Sequence, residues 1–162
     1  MNLLETFPPD ALVHVAFCSE ANFSGWADPR GPELEISRIM YPAPRTARHE
    51  SIGGIFHSGD RHFLQIVEGP VEDVAWYIEH VGKDRRHKRV EVLHAEEIQA
   101  HGFPPGAMRY VGSPDQIHEI HQRHGLVGFD PYRYSVEVLR DFAALAEDPP
   151  SDPSALMGPH RD

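Results

Sequence analysis

The 162-residue chain has little of several things, and each scarcity narrows its function. Its single cysteine, Cys18, cannot form an internal disulfide, which fits a reducing compartment and gives the expectation of a cytoplasmic protein. Cys18 lies in an apolar run and reads as a small buried hydrophobe, not a reactive thiol. No apolar run approaches the roughly 18–20 residues of a membrane span, and Met1-Asn2-Leu3-Leu4-Glu5 opens no signal peptide, so no membrane association is expected. Positive charge is sparse. Against 25 Asp and Glu stand 15 Lys and Arg, a net charge of −10, which speaks against nucleic acid or anionic lipid as a partner. Also missing are a Ser/His/Asp order, a phosphate-binding glycine loop and a paired-carboxylate motif, so the chain is not expected to be an enzyme.

What is present is an alternation of short apolar strands and amphipathic helices in one domain. Residues 1–10 read as a loose leader ending in Pro8-Pro9. Leu12–Cys18 reads as a buried first strand, 22–32 as loop, and Pro32 as the opening of a short helix to Met40 that Pro42 and Pro44 stop. Ser51–His57 and Arg61–Glu68 flank Ser58-Gly59-Asp60 as a hairpin, with His57 and His62 facing across the turn. Val74, Tyr77, Ile78 and Val81 mark one stripe of a helix over Val71–Val81. Strands follow at Lys88–His94 and Ala107–Val111. The order is the ferredoxin-like split βαβ of an α+β protein, β-α-β-β-α-β-β.

The strand Phe63-Leu-Gln-Ile-Val-Glu-Gly-Pro70 is apolar on both faces, with Phe63, Gln65 and Val67 on one and Leu64 and Ile66 on the other. One helical layer cannot cover both. Two C-terminal helices, Ser113–His124 and Arg133–Ala146 with caps at Ser113 and Ser135, are expected on the second face. The expected organisation is a core domain over residues 11–112, the helices within 113–146, and a disordered tail over 147–162. Gln65 stands out because a buried amide costs about 1–3 kcal/mol when unpaired and so needs a partner in the protein, in water or in a ligand.

The Phe63–Gly69 strand, the helix after it, the Asp84-Arg85-Arg86-His87 run and the Phe103…Met108 segment together resemble the BLUF family, flavin-based sensors of blue light, over roughly residues 12–111. The resemblance implies an FAD-binding domain in which a strand tyrosine, a glutamine and an asparagine hydrogen-bond around the flavin ring. It places Gln65 at the glutamine, Asp84, Arg86 and His87 on the ribityl and phosphate side, and Met108 on the last strand. Asp84, Arg86 and His87 have an equally good reading as a helix C-terminus and its charge partners. Three family positions are lost: the tyrosine is Phe17, the asparagine aligns with Ala47, and the final aromatic is Gly106. Without a phenol at position 17 the family's photocycle has no route there. Two or three lost hydrogen bonds of about 0.5–1.5 kcal/mol each weaken flavin binding by roughly one to three decades.

The remaining candidates carry less chemistry. His118, His121 and His124 recur at three-residue spacing, but the first and last are roughly 9–10 Å apart along a helix and cannot share one ion, so a surface stripe and no metal site is expected. Gly53-Gly54 suggests close backbone approach to a ligand, but a glycine pair in a strand more often marks a bulge. Glu68 reads as an acid complementing a helix start. Two functions stay open: a sensory domain that still holds FAD without the standard photochemistry, or a cofactor-free interaction or oligomerisation module that works with a partner protein or as a homodimer.

Overall fold

The computed structural model describes residues 2–22, 39 and 45–147. Apolar residues alternating at the strand period build five strands: β1 (Leu12–Ala21), β2 (Gly53–Gly59), β3 (His62–Pro70), β4 (His87–Ile98) and β5 (Met108–Tyr110). They form one sheet in the order β4-β1-β3-β2-β5, antiparallel except for the β2–β5 pair. Four helices with both ends among the described residues accompany it: α1 (Ala47–Glu50), α2 (Val71–Lys83), α3 (Pro114–His124) and α4 (Val136–Ala144). The arrangement is the α+β, ferredoxin-like one expected. The helix expected over 32–40 lies outside the described residues except for Ile39, which is buried. Of the expected tail, residues 148–162 also lie outside.

Because side chains alternate across the sheet, each face has its own core. Val13, Val15, Phe17 and Val67 lie under α2, whose Val71, Val74, Tyr77 and Val81 complete that cluster. Ala16, Ile55, Leu64 and Ile66 lie under α3 and α4, meeting Ile120, Val138, Leu139 and Phe142. Glu72 and Asp73 in the first turn of α2 and His80 and Lys83 in its last complement the helix dipole. Ser113 caps α3 by accepting from the Gln116 amide, and Gly125, at φ 68°, ends it in the left-handed conformation. Ser135 accepts from Val138 N and so starts α4 later than Arg133, while Leu145–Glu147 tightens into a 3-10 turn.

Several expectations are corrected. The hairpin turns on Asp60 and Arg61, at φ 46° and 63°, so Ser58 and Gly59 belong to β2. His57 therefore pairs with Leu64, and it is Gly59 that faces His62. The leader is not loose: Leu3–Thr6 forms a 3-10 turn capped by Asn2, and Leu4 is 3% exposed in the α2-side core. Gly53-Gly54 is not a bulge, since the β2–β3 register runs through it unshifted. A Cβ at Gly53 would lie 2.2 Å from the Pro104 carbonyl oxygen, and one at Gly54 2.6 Å from that of Ile66, so both glycines let backbones approach. Glu68 does not serve a helix start. It is buried, and its carboxylate accepts from Gly102 N at 2.6 Å, Phe103 N at 2.8 Å and the His14 ring at 2.7 Å.

Candidate functional site

The strand registers align one row of side chains across the α2-side face: Val92 on β4, Phe17 on β1, Gln65 on β3, Phe56 on β2 and Tyr110 on β5. Gln65 is the polar member at its centre, and the row is closed to solvent there, with Phe17 and Gln65 each 1% exposed and Phe56 fully buried. Tyr110 ends the row with its hydroxyl bonded to the Ser58 hydroxyl and backbone.

Gln65 finds its partner from an unexpected direction. Tyr77 reaches down from α2 and donates its hydroxyl to Gln65 Oε1 at 2.5 Å. Its ring meets that of Phe17 edge-on, with centroids 6.1 Å apart at 72°. A phenol therefore does stand on the glutamine, but over the sheet from the helix instead of beside it from β1. Burial pushes the Tyr77 hydroxyl well above the usual phenol range, so it stays protonated as the donor. The amide nitrogen of Gln65 is buried and has no partner among the described residues. Turning the amide over would give Tyr77 the nitrogen and strand the oxygen instead, so one end is unsatisfied in either orientation.

A second unsatisfied donor lies nearby. Ala47, expected from the resemblance at the asparagine position, is exposed at the start of α1, while His49 turns inward. Its Nδ1 accepts from Thr46 N at 3.0 Å, which puts the ring proton on Nε2, and that atom is buried without a partner among the described residues. The ring packs edge-on against Trp76 at 5.0 Å and Tyr77 at 6.3 Å. Burial first, then the charges of Arg45 and His80, lowers its pKa and keeps it neutral. The sequence places His49 with His57 and His62 around the hairpin and Tyr77 on a helix stripe, and marks neither as a neighbour of Gln65. For Tyr77 the signal was a hydroxyl-bearing residue on the buried stripe of an amphipathic helix, where a polar end needs a partner.

The remaining site residues do not gather around Gln65. Asp84 closes α2 and accepts from the Arg86 backbone and from both Nε and a terminal nitrogen of its guanidinium, at 2.6–3.0 Å. Burial alone would raise the Asp84 pKa, but these bonds hold it below the usual carboxylate range. His87 is buried against Phe63 and bonded through Nδ1 to the Ser19 hydroxyl at 2.7 Å, and burial pulls its pKa down to about 4. Met108 is half-buried between the two clusters of the α2 side. Gly106 has φ 84°, and a Cβ there would lie 3.0 Å from Glu50 Oε2, so the family's aromatic has no place on this backbone. The three histidines of α3 are no stripe: His121 is buried and bonded to the Tyr134 hydroxyl at 2.5 Å, while His124 pairs with Asp141 at 2.7 Å. No cluster suited to a metal ion occurs among the described residues. No described helix is long and apolar enough to cross a membrane.

Comparison with known proteins agrees with this fold. The fold superimposes on the ground state of BlsA with a TM-score of 0.71 at 24% identity, covering 87% of this chain and 91% of that one. It superimposes on the dark state of the BLUF protein BlrB with a TM-score of 0.61 at 25% identity, covering 85% and 98%. Klebsiella pneumoniae BlrP1, in a cyclic-di-GMP complex, matches over 82% of this chain but 34% of its own length, with a TM-score of 0.54 at 21% identity. No protein of curated function matches. Residues 12–109 match the family described as sensors of blue light using FAD, and the chain belongs to that BLUF family.

Proposed function

We propose that this chain is a sensory-type BLUF domain that acts as a cofactor-free interaction module, signalling by contact with a protein partner and not by catalysis. The observation that carries this reading is Tyr77. Its ring stands over the central row, its hydroxyl takes the Gln65 oxygen at 2.5 Å, and Phe17 beneath it has no hydroxyl to offer. A flavin ring needs an open slot with directed polar groups. Among the described residues no such slot is formed: the row is closed, Asp84 and Arg86 bind each other, and His87 is bonded to Ser19. In this reading the FAD frame persists as a fold, and what remains functional is its surface. The protein works as a cytoplasmic regulator.

A second reading, in which FAD is held without the standard photochemistry, has one observation in its favour. The buried donors Gln65 Nε2 and His49 Nε2 lack acceptors among the described residues, and each costs about 1–3 kcal/mol if left so. If FAD binds, these two atoms are the ones to hold it, and the group supplies blue-light absorption. The absorption spectrum of the purified protein, followed by titration with FAD, separates the readings. The first expects a colourless protein whose added FAD keeps its free-solution fluorescence. A bound, structured flavin band in wild-type protein refutes it.

A further inference from the structure

We propose that a groove between the N-terminal turn and α2 is the docking site of a partner protein, taking a cationic amphipathic segment of that partner. This rests on the interaction-module reading and gives it a place and a chemistry. The groove has a volume of about 660 Å³. Its floor is apolar, built from Leu4 and Phe7 of the N-terminal segment, Val71, Ala75 and Ile78 of α2, and Val92 of β4. Its walls carry Glu5, Glu72 and Glu79, and no Lys, Arg or His lines it.

The neighbouring cations do not cancel those walls. Lys83 pairs with Glu79 at 3.0 Å, but both side chains are more than two-thirds exposed, and such a pair exchanges readily for another. Arg48 donates to the Glu72 backbone carbonyl at 3.5 Å and pairs with Asp73, leaving the Glu72 carboxylate to solvent. Apolar floor and acidic walls together select an occupant with the opposite walls: leucine-like side chains at helical spacing flanked by Lys or Arg. A second copy of this chain fits poorly, because its net charge of −10 repels its twin. The groove meets the Gln65 row only at its outer end, Val92 on β4, and none of Phe17, Gln65 and Tyr77 lines it.

The probe is a synthetic amphipathic Leu/Lys helix of about 18 residues, five turns, with a Leu/Glu counterpart of the same apolar pattern. Binding is read by fluorescence anisotropy on the full chain. Saturable binding of the Leu/Lys peptide is expected, weakening in high salt, with none for the Leu/Glu peptide. The variant Glu72→Gln with Glu79→Gln is expected to weaken it roughly three- to tenfold, whereas Glu119→Gln with Glu137→Gln, the same charge change on α3 and α4, changes it less than about twofold. Ile78→Lys is expected to weaken it at least about tenfold, with circular dichroism checking the fold; if that variant unfolds, the glutamine pair decides. The assignment is overturned by absence of binding, by equal loss in the α3/α4 control, by equal binding of the Leu/Glu peptide, or by a homodimer in sedimentation that Ile78→Lys disperses. FAD titration of the same samples is an independent readout. A flavin-binding protein refutes the closed-row reading without touching the groove, and failure of the peptide leaves the row as it is.

Discussion

Glu68 offers the sharpest test of how this sheet is tied to the strand that follows it. Its Oε1 accepts both Gly102 N and Phe103 N, and its Oε2 takes the His14 ring, so one carboxylate at 4% exposure fastens the segment leading to β5. Truncation by Glu68→Ala strands two backbone N–H groups, of which Phe103 is buried, and removes charge-assisted bonds worth about 1.5–3 kcal/mol each. A loss of about 3–4 kcal/mol is expected, and in a chain of this size that lowers the Tm by roughly 10 °C. Glu68→Gln should cost less, about 1–2 kcal/mol. Its amide oxygen still accepts the two N–H groups, and its NH2 faces the His14 ring nitrogen. The folded-state pKa of Glu68 is depressed: burial raises it, but the bonds from His14, Phe103 and Gly102 outweigh that. A depressed acid contributes stability above its unfolded pKa, near 4.5, and loses it as pH falls through the folded value. Urea unfolding at pH 7 and below 4.5 should therefore show the gap between wild type and Glu68→Gln narrowing on acidification. If Glu68→Ala lies within about 0.5 kcal/mol of wild type at pH 7, or glutamine costs as much as alanine, the clamp is wrong.

Three other outcomes are expected. Burial holds the folded pKa of His57 and His87 near 4, so both fold neutral; their stabilisation is whole above the unfolded value of 6.5 and drains between 6.5 and 4, by on the order of 2–3 kcal/mol each at most. A flat stability profile over that window, measured by denaturant titration, rules this out. Gly53→Ala drives a methyl into the Pro104 carbonyl and should cost at least about 2 kcal/mol, whereas Gly82→Ala, with open space around it in α2, should gain about 0.5–1 kcal/mol; thermal melts giving the same sign for both contradict the packing. Phe17→Tyr combined with Tyr77→Val moves the phenol back to the strand and uncovers the row, and is expected to bind FAD more tightly than wild type by fluorescence quenching. Equal affinity for the two proteins means that Tyr77 is not what closes the row.

Much of the fold was legible because it is written in local periodicities. The two-residue alternation of β3, the buried stripe of α2 and the serine caps of α3 and α4 each act within a few residues, and the structure follows them. The errors arise where a distant element decides. Glu68 sits just before a helix and reads as a dipole partner, but it is claimed by Gly102 and Phe103 from across the sheet. Gly53 reads as a bulge until the Pro104 backbone, fifty residues on, takes the space of its Cβ. The hairpin slipped because Asp60 and Arg61 enter the left-handed region without a glycine, a choice that Asp60 supports by accepting the Phe129 amide.

The site obeys the same division. That a buried Gln65 needs a partner follows from its strand alone, but which partner depends on a helix packed over it. The phenyl ring at position 17 and the hydroxyl at position 77 bear on the same amide. A buried amide beside phenylalanine has lost its in-plane partner and gains by any hydroxyl delivered from above, so Tyr77 restores about 0.5–1.5 kcal/mol of hydrogen bonding while its ring fills space. A side chain that satisfies the amide from above the sheet occupies the direction from which a planar ligand would approach it. The hydrogen bond that stabilises the fold is thus the same contact that closes the row, and ligand and Tyr77 compete for Gln65. Under the proposed cofactor-free reading, FAD binding trades against stability at this one residue.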